Sequence, residues 1–136
     1  MKTIRHPIAL VLAALAFAVL LAACSNDSKP AVCTDVDNIQ KTVDDLKNVK
    51  PEAGALGNIQ SELTTLKQQF GILRTDAKSQ FQTETTALSA SLDSLSSAVD
   101  AAKANPSLST LAPVGTALAG VKDTGQSLVS AVKGTC

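Results

Sequence analysis

Residues 56–102, LGNIQSELTTLKQQFGILRTDAKSQFQTETTALSASLDSLSSAVDAA, decide the fold. Leu56, Ile59, Leu63, Leu66, Phe70 and Leu73 recur at alternating steps of three and four. That spacing puts them on one face of a helix, and no part of the stretch alternates as a strand would. Two steps of four follow, to Ala77 and Phe81, and the alternation resumes through Leu88, Leu92, Leu95, Val99 and Ala102. The irregular step resembles a stutter, a local unwinding of a coiled-coil repeat. Gly71 has no proline or capping residue beside it, and the stripe passes through it. The expectation is one long helix stopped by Asn105, Pro106 and Ser107.

Shorter helices flank it. Upstream, Val36, Ile39, Val43, Leu46 and Val49 form a stripe. Thr34 is its N-cap candidate, and Asp35 and Asp37 suit the positive end of a helix. Pro51 ends that helix, because the residue before a proline resists helical geometry. Downstream, Leu111, Val114, Leu118, Val121, Gly125, Leu128 and Val132 repeat every three or four residues. This third helix is expected to start near Ser109 or Thr110, with Pro113 in its first turn, where a missing N–H costs little. Gly134 is a stop signal. Gly115, Gly120 and Gly125 each weaken the helix by about 1 kcal/mol relative to Ala, so it depends on packing. Gly125 lies on the stripe, where it can admit a close neighbour.

The first two dozen residues have a different character. Lys2 and Arg5 precede an uncharged apolar run over residues 8–21, followed by Ala22, Ala23 and Cys24. A spanning helix needs ~20 apolar residues and a signal-peptide core ~7–15, so the run fits the signal. Leu21-Ala22-Ala23-Cys24 resembles the lipobox of bacterial lipoproteins. The resemblance covers residues 1–24 alone. It implies a signal peptide over residues 1–23, cleavage between Ala23 and Cys24, and a diacylglyceryl group on the Cys24 sulfur. Ser25 stands where an aspartate would favour retention at the inner membrane of Gram-negative members, which leans the chain towards the outer membrane in such a host. Residues 24–31 then read as a short polar tether carrying Pro30, and residues 32–136 as a single domain.

Cysteine arithmetic agrees. Three cysteines in an exported chain leave one odd thiol. With Cys24 acylated, Cys33 and Cys136 remain to pair in a compartment that tolerates disulfides. The pair constrains the layout. If the first helix runs down and the long helix returns, Cys33 comes level with Phe70. If the third helix runs back down, Cys136 comes level with Thr75. The expected all-α fold is thus a helical hairpin, with the first and third helices end to end along the long one. A four-helix bundle broken at Gly71 satisfies the same arithmetic. The narrow stripe favours the continuous helix. Two helices side by side bury little surface, so self-association or docking to an envelope protein is expected.

Chemistry is scarce. The chain's one histidine, His6, lies in the signal segment, and there is no Trp or Tyr. The mature chain therefore lacks the commonest general base and metal ligand, and no zinc or nucleotide-binding spacing occurs. No cofactor is expected. Past the signal segment there are 10 Lys and Arg against 12 Asp and Glu, with no basic cluster to hold nucleic acid. Ser130-Ala131-Val132-Lys133 has the S-x-x-K spacing of penicillin-interacting enzymes, but the companion motifs are absent. Asp44 and Asp45 point about 100° apart on a helix and do not share a site. Residues 83–97, rich in Ser, Thr and Ala, make either a solvated face or a partner surface.

The sequence thus points to a non-enzymatic helical protein with a structural or adaptor role, held by lipid on Cys24 at the extracytoplasmic face of a bacterial membrane. The alternative is a binding module, such as an inhibitor or a carrier for an apolar ligand between helices.

Overall fold

Almost every position of the three stripes is withdrawn from water. A computed structural model describes residues 29–136. In it Val36, Ile39, Ile59, Leu66, Leu73, Leu88, Leu95, Val114 and Leu128 are fully buried in one core, with Phe81, Leu111 and Leu118 packed against its edge. All regular structure among the described residues is helical. The helices are α1 (Ala31–Lys47), α2 (Leu56–Ala77), α3 (Gln82–Ala104) and α4 (Leu108–Lys133), with a 3-10 turn at Ala53–Ala55 before α2.

The long helix of the sequence reading is two helices. α2 stops at Ala77, and α3 starts at Gln82 and returns alongside it. Across the two helices the Lys103 ammonium donates to Gln60 Oε1, and Lys67 and Asp93 form an ion pair at 3.7 Å. Gly71 is not the break. It sits exposed inside α2 with no positive φ. The turn is made by two residues with no conformational licence for it, Lys78 (φ 53°) and Phe81 (φ 57°). Each left-handed residue costs about 1–2 kcal/mol. Burial outweighs that cost. A continuous helix offers its stripe to one neighbour, whereas after the turn Leu66, Leu73, Leu88 and Leu95 are all fully enclosed. Each such leucine contributes about 1.5–3 kcal/mol. The apparent stutter at Ala77 and Phe81 marks this turn.

Each helix packs on its chain neighbour, and α1 closes the ring against α4. Thr42 on α1 donates to Gln69 Oε1 on α2 at 2.9 Å. Gly120 on α4 faces Ser91 on α3, and Gly125 faces Val43 on α1. Four helices of about 25–39 Å therefore stand side by side, alternating in direction.

Helix starts also shift. α1 begins at Ala31 behind Pro30, so Thr34 lies inside the helix and the first turn carries no acid. α4 begins at Leu108 behind Ser107, whose N–H donates to Thr110 Oγ1 at 3.0 Å. This half of a capping box moves the start upstream. Pro113 consequently falls beyond the first turn, inside the helix.

Candidate functional site

The bundle has two distinct ends. One gathers the start of α1, the α2–α3 turn and the end of α4. There Cys33 and Cys136 are joined, with their Cα atoms 6.0 Å apart although they stand 103 positions apart in sequence. The expected pairing is present, but its place differs from the sequence reading. With Thr42 beside Gln69, Cys33 comes level with the turn after Ala77, not with Phe70 in mid-helix. The eight-residue connection between α1 and α2 accounts for the shift. Cross-linking so long a loop removes about 4–5 kcal/mol of unfolded-state freedom in the chain-entropy model.

Charges reinforce this staple. Asp37 on α1 accepts from Lys29, just before the helix, and faces Lys133 on α4 at 3.8 Å. Lys133 also donates to Gln40 Oε1. The hydrogen bond from Lys29 and the two positive charges hold the Asp37 carboxyl below the usual carboxylate range. Lys133 is therefore occupied as a bridge between α1 and α4, and Ser130 stands exposed on the last turns of α4. Asp44 pairs with Lys47 at 2.9 Å within α1, and its neighbour Asp45 points into solvent.

Asp35 is the surprise of this end. As a helix-start charge it would be solvated. Instead it is half-buried beside Asp76, at the far end of α2, with Oδ2 shut away from water. Burial pushes its carboxyl above the usual range. The neighbouring Asp76 carboxyl, through hydrogen bonding and then charge repulsion, pushes the same way. Nothing in the sequence spacing reveals the pair, because its members stand 41 positions apart with a chain reversal between them.

Two depressions stand out. A shallow groove of about 860 Å³ runs between α3 and α4, floored by Ala90, Ser94, Ala98, Ala112, Pro113 and Gly120. It takes in part of the Ser/Thr/Ala-rich stretch. A polar cleft of about 510 Å³ lies at the α2–α3 turn, lined by Arg74, Lys78, Ser79, Gln82 and Thr86 among others. Among the described residues no three His, Cys, Asp or Glu side chains converge as a metal would require, and no helix is long and apolar enough to cross a membrane. Cys24 and Ala23, on which the lipid and cleavage expectations rest, lie outside the described residues.

No protein-family model, curated protein or solved structure matches the chain.

Proposed function

We propose that the protein is a lipid-anchored spacer or adaptor of the bacterial cell envelope, fixed through Cys24 and working without catalysis. One observation carries the reading. The Cys33–Cys136 bond uses two of the three cysteines and leaves Cys24, within Leu21-Ala22-Ala23-Cys24, as the odd one. A disulfide of this kind suits an exported chain. The α1 helix starts seven residues after Cys24, so the bundle hangs on a tether of at most about 25 Å from the membrane that holds the lipid. Its stapled end is the end nearest that membrane. The opposite end, with the connection over residues 48–55 and the exposed Leu108, is the one presented to other envelope components. The Ser25 position assigns the protein to the outer membrane in a Gram-negative host.

Mass analysis of the mature protein tests the anchor. The expected N-terminal residue is a Cys24 carrying diacylglycerol. A Cys24→Ser chain should accumulate uncleaved and without the lipid mass. Recovery of an unmodified mature N-terminus would refute the reading. Cross-linking in intact cells tests the adaptor role. An envelope protein joined to the far end supports it, whereas a small apolar ligand retained by the purified protein would favour a carrier instead.

A further inference from the structure

The polar cleft at the α2–α3 turn has a composition the spacer role does not use. Arg74, in the last turn of α2, and Lys78, the first residue past its end, both line the cleft. Asp76, two residues on from Arg74, is about 200° round the helix and points elsewhere. Among the described residues neither cation forms an ion pair. The charges on the neighbouring elements are spent or turned away. Lys29 and Lys133 are engaged by Asp37, Asp35 faces Asp76, and Glu84 in the first turn of α3 does not line the cleft. Arg74 is also held in place, since its guanidinium lies over the Phe70 ring at 5.8 Å from the centroid.

Thr85, which also lines the cleft, donates its hydroxyl to Gln82 O at 3.1 Å, but other hydroxyls of the lining have no partner among the described residues. Ser61, Thr64, Thr65 and Thr75 on α2 return their hydroxyls to the carbonyl four residues back. Ser79, Thr86 and Ser89, which line the cleft with Gln82, make no such bond among the described residues. Two positive charges without ion-pair partners among the described residues, beside three unspent hydroxyls, match an anion with several acceptor oxygens. A phosphate has that form, and arginine binds it through two parallel N–H groups. The cleft opens at the stapled end of the bundle, where the chain leaves for Cys24.

The geometry points to a phosphate-ester site in the α2–α3 cleft, with Arg74 and Lys78 as the charged ligands and a phospholipid headgroup of the anchoring membrane as its occupant. The choice of a headgroup over a soluble phosphate rests on the anchor reading, whereas the phosphate chemistry does not. Engagement would hold the bundle end-on to the bilayer by a second, non-covalent contact beside the lipid on Cys24.

The test uses the mature protein in neutral detergent, titrated with inorganic phosphate, glycerol phosphate and dihexanoyl-phosphatidylglycerol, and read by amide and arginine Nε–H resonances. Shifts confined to Arg74 and residues 78–89 are expected, with the phospholipid binding tightest. Loss of both charge-assisted contacts in R74Q/K78Q should weaken binding by roughly tenfold or more. The charge-matched control K50Q/K122Q, away from the cleft, should bind as the wild type does. Circular dichroism and melting confirm that each variant is folded. The site is overturned if none of the three anions shifts these resonances, or if R74Q/K78Q binds as well as the control. The headgroup assignment is overturned if inorganic phosphate binds as tightly as the phospholipid. The N-terminal mass of the same sample separates the two proposals: a lipid-bearing protein with a silent cleft loses the site and keeps the anchor, and an unmodified Cys24 with a responsive cleft does the reverse.

Discussion

Replacing Gly125 with alanine probes the contact that closes the bundle. A Cβ at this position would stand 2.9 Å from Val43 Cγ2, 3.6 Å from Cγ1 and 3.8 Å from Cβ, all on α1. Carbon atoms pack best at about 3.5–4.0 Å, so α1 and α4 must separate by roughly 0.6 Å or more at this level. The Cys33–Cys136 bond resists the movement from one end. Overpacking of this kind costs about 1–3 kcal/mol. Alanine recovers about 0.8–1.0 kcal/mol in helix propensity. The net expectation for Gly125→Ala is a loss of about 0–2 kcal/mol. Gly71→Ala supplies the reference, because nothing lies within 4 Å of its new Cβ. It should gain about 1 kcal/mol from propensity alone. The steric cost is then the difference between the two variants, read from urea unfolding midpoints under oxidising conditions with an unchanged m-value. Adding Val43→Ala should remove most of that cost, giving a coupling energy of about 1–3 kcal/mol in a double-mutant cycle. The reasoning fails if Gly125→Ala is as stabilising as Gly71→Ala, or if Val43→Ala adds its full cost to it.

Three more outcomes follow from the geometry. Replacing Cys33 and Cys136 together with serine should lower stability by about 4–5 kcal/mol, a large part of what a domain of this size possesses, and reductant should do the same to the wild type. Asp35→Asn should stabilise the protein at neutral pH. The folded-state pKa of Asp35 is raised above 3.8, so the folded chain holds this proton more tightly than the unfolded chain. The contribution of Asp35 to stability is thus most favourable below the unfolded value and declines as pH rises through the raised one. Unfolding measured from pH 3 to 7 should show that decline in the wild type and a flatter profile in the variant. Lys78→Gly should stabilise the fold by about 1 kcal/mol, because glycine adopts φ 53° without steric cost. A lower melting temperature would contradict that reading of the turn.

How much of this was legible beforehand depends on the range of the interaction. The stripe residues were identified almost completely, since a three-four spacing is a local property and the face it defines is buried whatever lies opposite. Leu56, Ile59, Leu63, Leu66, Phe70 and Leu73 are all in the core. The disulfide was reached by counting cysteines. Arg74 and Lys78 stand four positions apart in the sequence, but nothing there marks them, and only the reversal after Ala77 sets α3 beside them.

The stretch over residues 56–102 draws the boundary between the two kinds of information. By itself it determined that the chain is helical and which face is apolar, because backbone hydrogen bonding and side-chain period act within a few residues. It did not determine that the helix turns back. Residues 78–81, KSQF, contain neither glycine nor proline, so their local energy favours continuing the helix. Only tertiary structure decides otherwise. Folding α3 onto α2 encloses leucines from both, and their combined burial exceeds the cost of two left-handed residues. The same reversal opens the Arg74 cleft and brings Cys33 and Cys136 together at the end of the bundle rather than in its middle, and the earlier one between α1 and α2 sets Asp35 against Asp76. Each of these depends on contacts between residues far apart in sequence, which local periodicity cannot specify.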